Sequence, residues 1–250
     1  MLKINPPVIA HRGASAYAPE NTMSAFIKAA QLGIKWVEFD VMQAATDELI
    51  IFHDEQLERT SNSFGNVCDQ PYAYLNSLDV GSWFNAKFSG ERIPILLTVI
   101  EFLQSVNMFA NIEIKPLPGQ EERLVKRILK EMQPYLWKAN NQFLFSSFSI
   151  QTLQILRKYS HTCQIGLLLH EWQAEWSEIS QDLNCVSIHI NQEIISEESA
   201  RNIKNMDKLL LCYTVNEPLR AQELYSWGVD AVFSDAPDII LSAIQKCFIL

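Results

Sequence analysis

The chain has 250 residues, 48% hydrophobic and 20% charged, an ordinary composition for a globular domain with a sizeable core. Its 20 basic and 29 acidic residues give a formal charge of −9, which argues against a broad basic grip on nucleic acid or anionic lipid; an anionic substrate needs a locally positive site. No apolar run approaches the roughly 18 residues of a membrane span, and no hydrophobic leader precedes His11, so a non-exported, cytoplasmic protein is expected.

The first element, VIAHR, reads as a buried strand over 8–11 that ends on His11 and Arg12, polar side chains such a strand end needs only if they bind something. Gly13 lets the chain turn. ENTMSAFIKAAQLG then predicts a helix with Met23, Phe26, Ile27 and Ala30 on its buried stripe, Asn21 or Thr22 as cap and Gly33 as stop. KWVEFDVMQ predicts a strand over 36–40. Residues 49–53 follow too closely for a crossover and must return antiparallel through a turn at 45–48, so that facing position numbers total about 93. The next stretch, roughly 54–94, is rich in Asn, Ser, Gly and aromatics and predicts an inserted cap.

Further strands are expected at 110–114, 142–145, 164–168, 185–189, 209–213 and 231–233, separated by amphipathic helices. EERLVKRILKEM places Leu124, Val125, Ile128 and Leu129 or Met132 on one face, and another helix opens at Pro218 and closes before Gly228. Eight strands, with a crossover helix lacking only between the second and third, predict a closed α/β barrel of the (β/α)8 TIM type. It spans 1–250 as one domain, with a β-hairpin return strand and the small insertion after its second strand. Cys68, Cys163, Cys185, Cys212 and Cys247 form no CxxC pair and read as small buried hydrophobes in a reducing compartment.

Alternation along VEFD points Glu38 and Asp40 to one side, and with Val37, Phe39 and Val41 facing the helices that side is the barrel interior. NIEIK likewise points Glu113 and Lys115 inward. Three interior carboxylates repel one another unless a cation holds them, and an all-oxygen donor set favours Mg²⁺ or Ca²⁺ over Zn²⁺. The hairpin register sets His53 opposite Asp40, while His11 ends the neighbouring strand on the face where barrel enzymes carry their chemistry. Two histidines near such a metal suit a general base and a general acid, and Arg12 and Lys115 supply positive charge for a phosphoryl substrate.

Each residue alone has a plainer reading, as a rim charge or a hydrogen-bonded structural side chain; their coincidence at several strand ends is what points to chemistry. His170 and His189 sit at or near strand ends and are as readily structural as functional, and His161 lies in a turn. In the insertion, Trp83, Phe84 and Phe88 either wall a pocket or pack the cap on the barrel; Phe88 reads as packing and Trp83 is open between the two.

The segments HRGASAYAPENT, VEFDV, IIFHDEQLERT, LDVGSWF, GERIP, NIEIK, YTVN and FSDAPD, in order from residue 8 to about 238, resemble the glycerophosphodiester phosphodiesterase family. HRG with PENT, ExD followed by HD, and ExK are the most specific of them. The resemblance implies a (β/α)8 barrel with a small insertion after HD, and one divalent ion on Glu38, Asp40 and Glu113. It also implies His11 and His53 as the acid–base pair and Arg12 and Lys115 on the phosphate, with Glu20 of PENT as a partner for Arg12. The implied reaction cleaves a small-molecule glycerophosphodiester, such as glycerophosphocholine or glycerophosphoethanolamine, to sn-glycerol 3-phosphate and an alcohol through a cyclic phosphate. Two departures, TDE in place of a Gly after the Asp and IPILLTVI without the usual Glu, touch no expected site residue. The alternatives are a phospholipase-type relative acting on lysolipid or phosphoinositide, which calls for an apolar or basic membrane face, and a non-catalytic phosphodiester binder, which is expected to have lost one of these seven residues.

Overall fold

The barrel starts with a strand of only three residues, and that brevity shapes the active end. The computed structural model describes residues 2–136 and 142–247, side chains of 245–247 excepted, so the thiol of Cys247, expected to be buried, is among the side chains not described. In chain order the elements are β1 (Val8–Ala10), α1 (Met23–Gln31), β2 (Trp36–Gln43), β3 (Leu49–Ile51), α2 (Tyr72–Leu75), α3 (Leu96–Ser105), β4 (Phe109–Ile114), α4 (Glu121–Leu136) and β5 (Phe143–Ser147). There follow α5 (Ile150–Tyr159), β6 (Gln164–Leu169), α6 (Trp176–Asp182), β7 (Ser187–Asn191), α7 (Glu197–Lys204), β8 (Leu209–Tyr213), α8 (Pro218–Ser226), β9 (Ala231–Ser234) and α9 (Pro237–Cys247). Around the barrel the order is β1-β9-β8-β7-β6-β5-β4-β2, closed by β1 against β2, with β3 antiparallel on β2. Eight parallel strands thus form the expected TIM barrel.

Pleating sorts the side chains into layers. Val37, Phe39 and Val41 of β2 and Ile112 and Ile114 of β4 are buried against the helices. Inside, the N-terminal half of the barrel is plugged by Trp36, stacked on Phe109 at 5.0 Å between ring centroids, with Leu144, Leu211 and Phe233 around them. Polar side chains occupy the half above this plug.

Helix α1 is capped by Thr22, whose hydroxyl accepts from the Ala25 N–H, but its buried face is Ala25, Phe26 and Ala29. Ile27, expected on that face, is 40% exposed. Phe26 sets the rotation by meeting Phe39 edge-on at 5.6 Å, with the small Ala25 and Ala29 buried beside it. The Leu124, Val125, Ile128 and Met132 stripe of α4 is buried as expected.

Because β1 ends at Ala10, the far part of β2's edge is open, and β3 takes it with Val41 opposite Ile51 and Gln43 opposite Leu49. This register is one position off the expected one: the Phe52 N–H donates to the Asp40 carbonyl, so Phe52 and not His53 lies opposite Asp40. The cause is the turn. Asp47 adopts a left-handed conformation (φ 78°) and closes the loop with Ala44 and Glu48 already paired, three residues sufficing where four were expected. The positive φ falls on Asp47, so Glu48 needs no glycine.

The crossover expected to be lacking is α3, which buries Leu96, Val99, Ile100 and Leu103 and carries the chain to β4. Its sequence, LLTVIEFLQS, is too evenly apolar to display a helical stripe. Between β3 and α3 the insertion has a core of its own, in which Phe52, Leu57, Val67, Leu75, Leu78, Val80 and Ile93 pack on Met42, Ala44 and Ile50. Asp79 gathers the N–H groups of Gly81, Ser82 and Gly90 at one end of it. Trp83, Phe84 and Phe88 stack edge to face within the insertion, and the Trp83 indole donates to the Val80 carbonyl. Phe26→Ala should cost about 3–5 kcal/mol in denaturant unfolding, whereas Ile27→Ala should stay within about 0.5 kcal/mol.

Candidate active site

The β1 ladder continues past its strand through the His11 N–H, which donates to the Ser234 carbonyl at 2.9 Å. Arg12 (φ 54°) and Gly13 (φ 80°) then turn the chain sharply. A Cβ on Gly13 would lie 2.7 Å from the Ala25 backbone, so glycine is required where this turn rests on α1. The turn aims the Arg12 N–H at Glu38 Oε2, 2.9 Å away.

Each histidine is held at Nδ1 by a carboxylate. His11 Nδ1 lies 2.7 Å from Asp235 Oδ1, and Asp235 also accepts from Ser15 Oγ and from Asn216 Nδ2. Burial opposes the Asp235 charge, yet these bonds and the His11 ring bring its carboxyl down to about 2. His53 Nδ1 lies 2.5 Å from Asp54 Oδ1. With a carboxylate at Nδ1 the proton sits there, leaving Nε2 as the free nitrogen of both rings. Burial, aided by Arg12 and Lys115, holds His53 below its ordinary value despite the opposing pull of Asp40.

A ladder of alternating charge runs on from His53. Asp54 accepts two bonds from Arg59, Arg59 donates two more to Glu20, and Glu20 Oε1 accepts from Arg12 Nη1 at 2.7 Å. Glu20 is therefore the Arg12 partner expected from PENT, and the next residue of that motif, Asn21, donates to Asp40 Oδ2 at 2.9 Å.

Glu38, Asp40 and Glu113 each bring an oxygen within 4.8 Å of the others. The register Glu38 to Asn111 and Asp40 to Glu113 makes them neighbours across β2 and β4. Arg12 Nε lies 3.6 Å from Asp40, and Lys115 Nζ lies 3.8 Å from Asp40 and 3.6 Å from Glu113. Burial disfavours all three charges, but Arg12 and Lys115 hold Asp40 ionised below its usual range. Burial and the Asp40 charge raise Glu38 well above the usual range and Glu113 to about 7. Asp40 Oδ1 is buried without a hydrogen-bond partner. Two fixed cations against three carboxylates, with one buried oxygen unsatisfied, fit a hard divalent ion bound by oxygen.

A cavity of about 310 Å³ opens at the C-terminal ends of the strands, and of the seven expected site residues Asp40 and Lys115 are not among its lining. His11, Arg12, Glu38, His53 and Glu113 line one side; Phe148, Leu168, Tyr213 and Phe233 line the other, with His170 beside them. Trp83 and Phe88 are not among its walls. His189 is not either: it is fully buried below, bonded to Ser187 Oγ at 2.8 Å and driven by burial to about 3, and Gly166 leaves room for its ring. A larger cavity, about 1010 Å³, opens at the opposite end of the barrel and contains none of the seven expected site residues.

The Glycerophosphoryl diester phosphodiesterase family matches residues 11–239. The chain belongs to this family. A glycerophosphodiester phosphodiesterase of Caldanaerobacter subterraneus subsp. tengcongensis is 33% identical over 96% of this chain and 98% of its own length. Another, from Bacillus subtilis, is 30% identical over 92% of this chain and 84% of its own. An Oleispira antarctica phosphodiesterase, solved in complex with the product sn-glycerol-3-phosphate, superposes with a TM-score of 0.93 at 38% identity, covering 96% of this chain and 97% of that one.

In this glycerophosphodiester phosphodiesterase, the residues that sequence reasoning did not single out are the partners: Asp54, Arg59, Asn21, Asn216 and Asp235. Asp54 adjoins His53 and was readable from HD, whereas nothing local ties Asp235 to His11. The raised Glu113 carboxyl has a thermodynamic consequence. In protein freed of divalent ions it keeps its proton to about pH 7, while an unfolded glutamate loses it near about 4.3. Its contribution to stability is thus fully present below that value and is lost as the pH rises through 7. The melting temperature of chelated Glu113→Gln relative to the parent should climb from pH 5 to pH 8; a difference independent of pH contradicts this.

Proposed function

We propose that this enzyme hydrolyses glycerophosphodiesters, such as glycerophosphocholine and glycerophosphoethanolamine, to sn-glycerol 3-phosphate and an alcohol, with His11 and His53 as the acid–base pair beside one Mg²⁺ or Ca²⁺. The observation that carries this reading is the pair of imidazoles, each anchored at Nδ1 by its own aspartate, bordering one cavity with Arg12, Glu38 and Glu113. The Oleispira phosphodiesterase with its product supports the glycerol half of the assignment.

Glu38, Asp40 and Glu113 would hold the cation, and their all-oxygen set suits Mg²⁺ or Ca²⁺. A divalent ion bound there supplies positive charge that polarises a phosphoryl oxygen. The Arg12 guanidinium, steadied by Glu20, and the Lys115 ammonium add charge for the phosphate oxygens. One imidazole Nε2 takes the proton of the glycerol hydroxyl next to the ester, and that oxygen attacks phosphorus. The other Nε2 gives its proton to the departing alcohol oxygen. Water then opens the cyclic phosphate while the two rings exchange roles. Arg59 brings the insertion into this scheme by bracing Asp54 behind His53. We read 1–250 as one catalytic unit with the cap at 54–94. The free thiols Cys68, Cys163, Cys185 and Cys212 favour a cytoplasmic setting. Among the described residues no helix is long and apolar enough to cross a membrane.

His11→Ala and His53→Ala should each lower kcat by ~10²- to 10⁴-fold with unchanged melting behaviour. Glycerophosphodiester turnover that survives both changes refutes the scheme. In a coupled assay of glycerol 3-phosphate release, EDTA should abolish activity and Mg²⁺ or Ca²⁺ should restore it.

A further inference from the structure

Arg59 stands in a turn of the insertion that the Ser61 N–H closes on the Leu57 carbonyl, with Leu57 and Thr60 buried on either side of it. Its backbone is fixed by the insertion's own core, to which Leu57 belongs, while its guanidinium reaches out to the barrel. Both edges of that guanidinium are filled. Nε and Nη2 donate to Asp54 Oδ2 and Oδ1 at 2.6 and 2.9 Å, and Nη1 and Nη2 donate to Glu20 Oε2 and Oε1 at 2.6 and 2.8 Å. A lysine ammonium cannot serve two carboxylates in this way, because each match is between a planar fork and a pair of oxygens.

Glu20 Oε1 is shared between two cations. It accepts from Arg59 Nη2 and, at 2.7 Å, from Arg12 Nη1, where the Glu20 and Arg12 side chains are only 13% and 17% exposed. Charges so far from water are weakly screened. A carboxylate this close to Arg12 competes with a substrate phosphate for the same N–H groups. Burial opposes the Glu20 charge, yet the bonds from Arg59 and Arg12 hold its carboxyl below the usual range, so the charge is present and has to be offset. With Arg59 in place, Asp54, Arg59, Glu20 and Arg12 alternate in sign and balance; without it the remaining three carry one net negative charge beside Arg12.

We propose that Arg59 is a positioning residue of the reaction with two separable effects: through Glu20 it leaves Arg12 free to attract the substrate phosphate, and through Asp54 it holds the His53 ring in place for turnover. The proposal rests on the function argued above. The first effect is one of charge, so removal of the Glu20 charge makes Arg59 dispensable for binding. The second is one of geometry. The Arg59 fork fixes the plane of the Asp54 carboxylate, whose Oδ1 lies 2.5 Å from His53 Nδ1, and nothing done at Glu20 replaces that fork. A residue that only fastened the insertion to the barrel would show no such separation.

The Kd of sn-glycerol 3-phosphate, measured by calorimetry with Mg²⁺ present, reads the first effect, and kcat on glycerophosphocholine reads the second. Arg59→Ala should raise Kd about tenfold in the parent and less than about threefold in the Glu20→Gln background. It should lower kcat about tenfold in both backgrounds. Arg59→Lys keeps the charge without the fork, so it should leave Kd within about threefold while kcat falls, and it serves as the second variant should Arg59→Ala fail to fold. A change in Kd that is equal in both backgrounds or absent from the parent, or a kcat within about twofold of the parent's, overturns the role of Arg59 and leaves the phosphodiesterase reading standing. A parent that turns over no glycerophosphodiester overturns both.

Discussion

Three carboxylates crowded into the dry end of a barrel are the constraint on which the rest of the structure turns. Glu38 and Asp40 are almost wholly buried and share their oxygens' neighbourhood with Glu113, an arrangement that costs free energy unless positive charge is brought to it. Much of what surrounds them does that. Arg12 is delivered by a glycine-dependent turn and Lys115 follows the end of β4, while Asn21, itself left-handed in the PENT loop, adds a neutral N–H donor to Asp40. The aromatic plug of Trp36 and Phe109 keeps the other half of the barrel free of this charge.

The histidines obey a related logic. Neither ring is left to rotate: the aspartates at Nδ1 select one tautomer and direct Nε2 away from themselves. Their supports differ in origin. Asp235 is braced by Ser15 and Asn216, from loops of the barrel itself, whereas Asp54 is braced by Arg59 from the insertion. Since Arg59 also holds Glu20, and Glu20 holds Arg12, the insertion and the first barrel loop are tied through one guanidinium.

What could be read from the sequence followed physical range. The inward set of Glu38, Asp40, Glu113 and Lys115 was legible because strand alternation is strict, and the barrel because its strands and helices repeat. The hairpin register came out one place off because the left-handed Asp47 shortens the loop, a matter of one backbone angle. Helix α3 escaped notice because LLTVIEFLQS has no polar face to reveal its period, and the rotation of α1 was misjudged at Ile27 because Phe26 alone decides it through Phe39. The bracing of the histidines was out of reach for the most part, since Asn216 and Asp235 come from loops whose proximity to His11 only the closed barrel creates.

That closure has a consequence for the chain as it is made. His11 and the aspartate that orients it are separated by 224 positions, on the loops that follow the first and last strands. Translation therefore delivers one of the two cavity histidines with its support early, since His53, Asp54 and Arg59 are near neighbours, and withholds the support of the other until almost the whole polypeptide has emerged. A ribosome-bound or C-terminally shortened chain holds every proposed metal ligand and both imidazoles, yet lacks the group that locks the first of them. The fixed orientation of the His11 ring is thus tied to completion of the ring of strands.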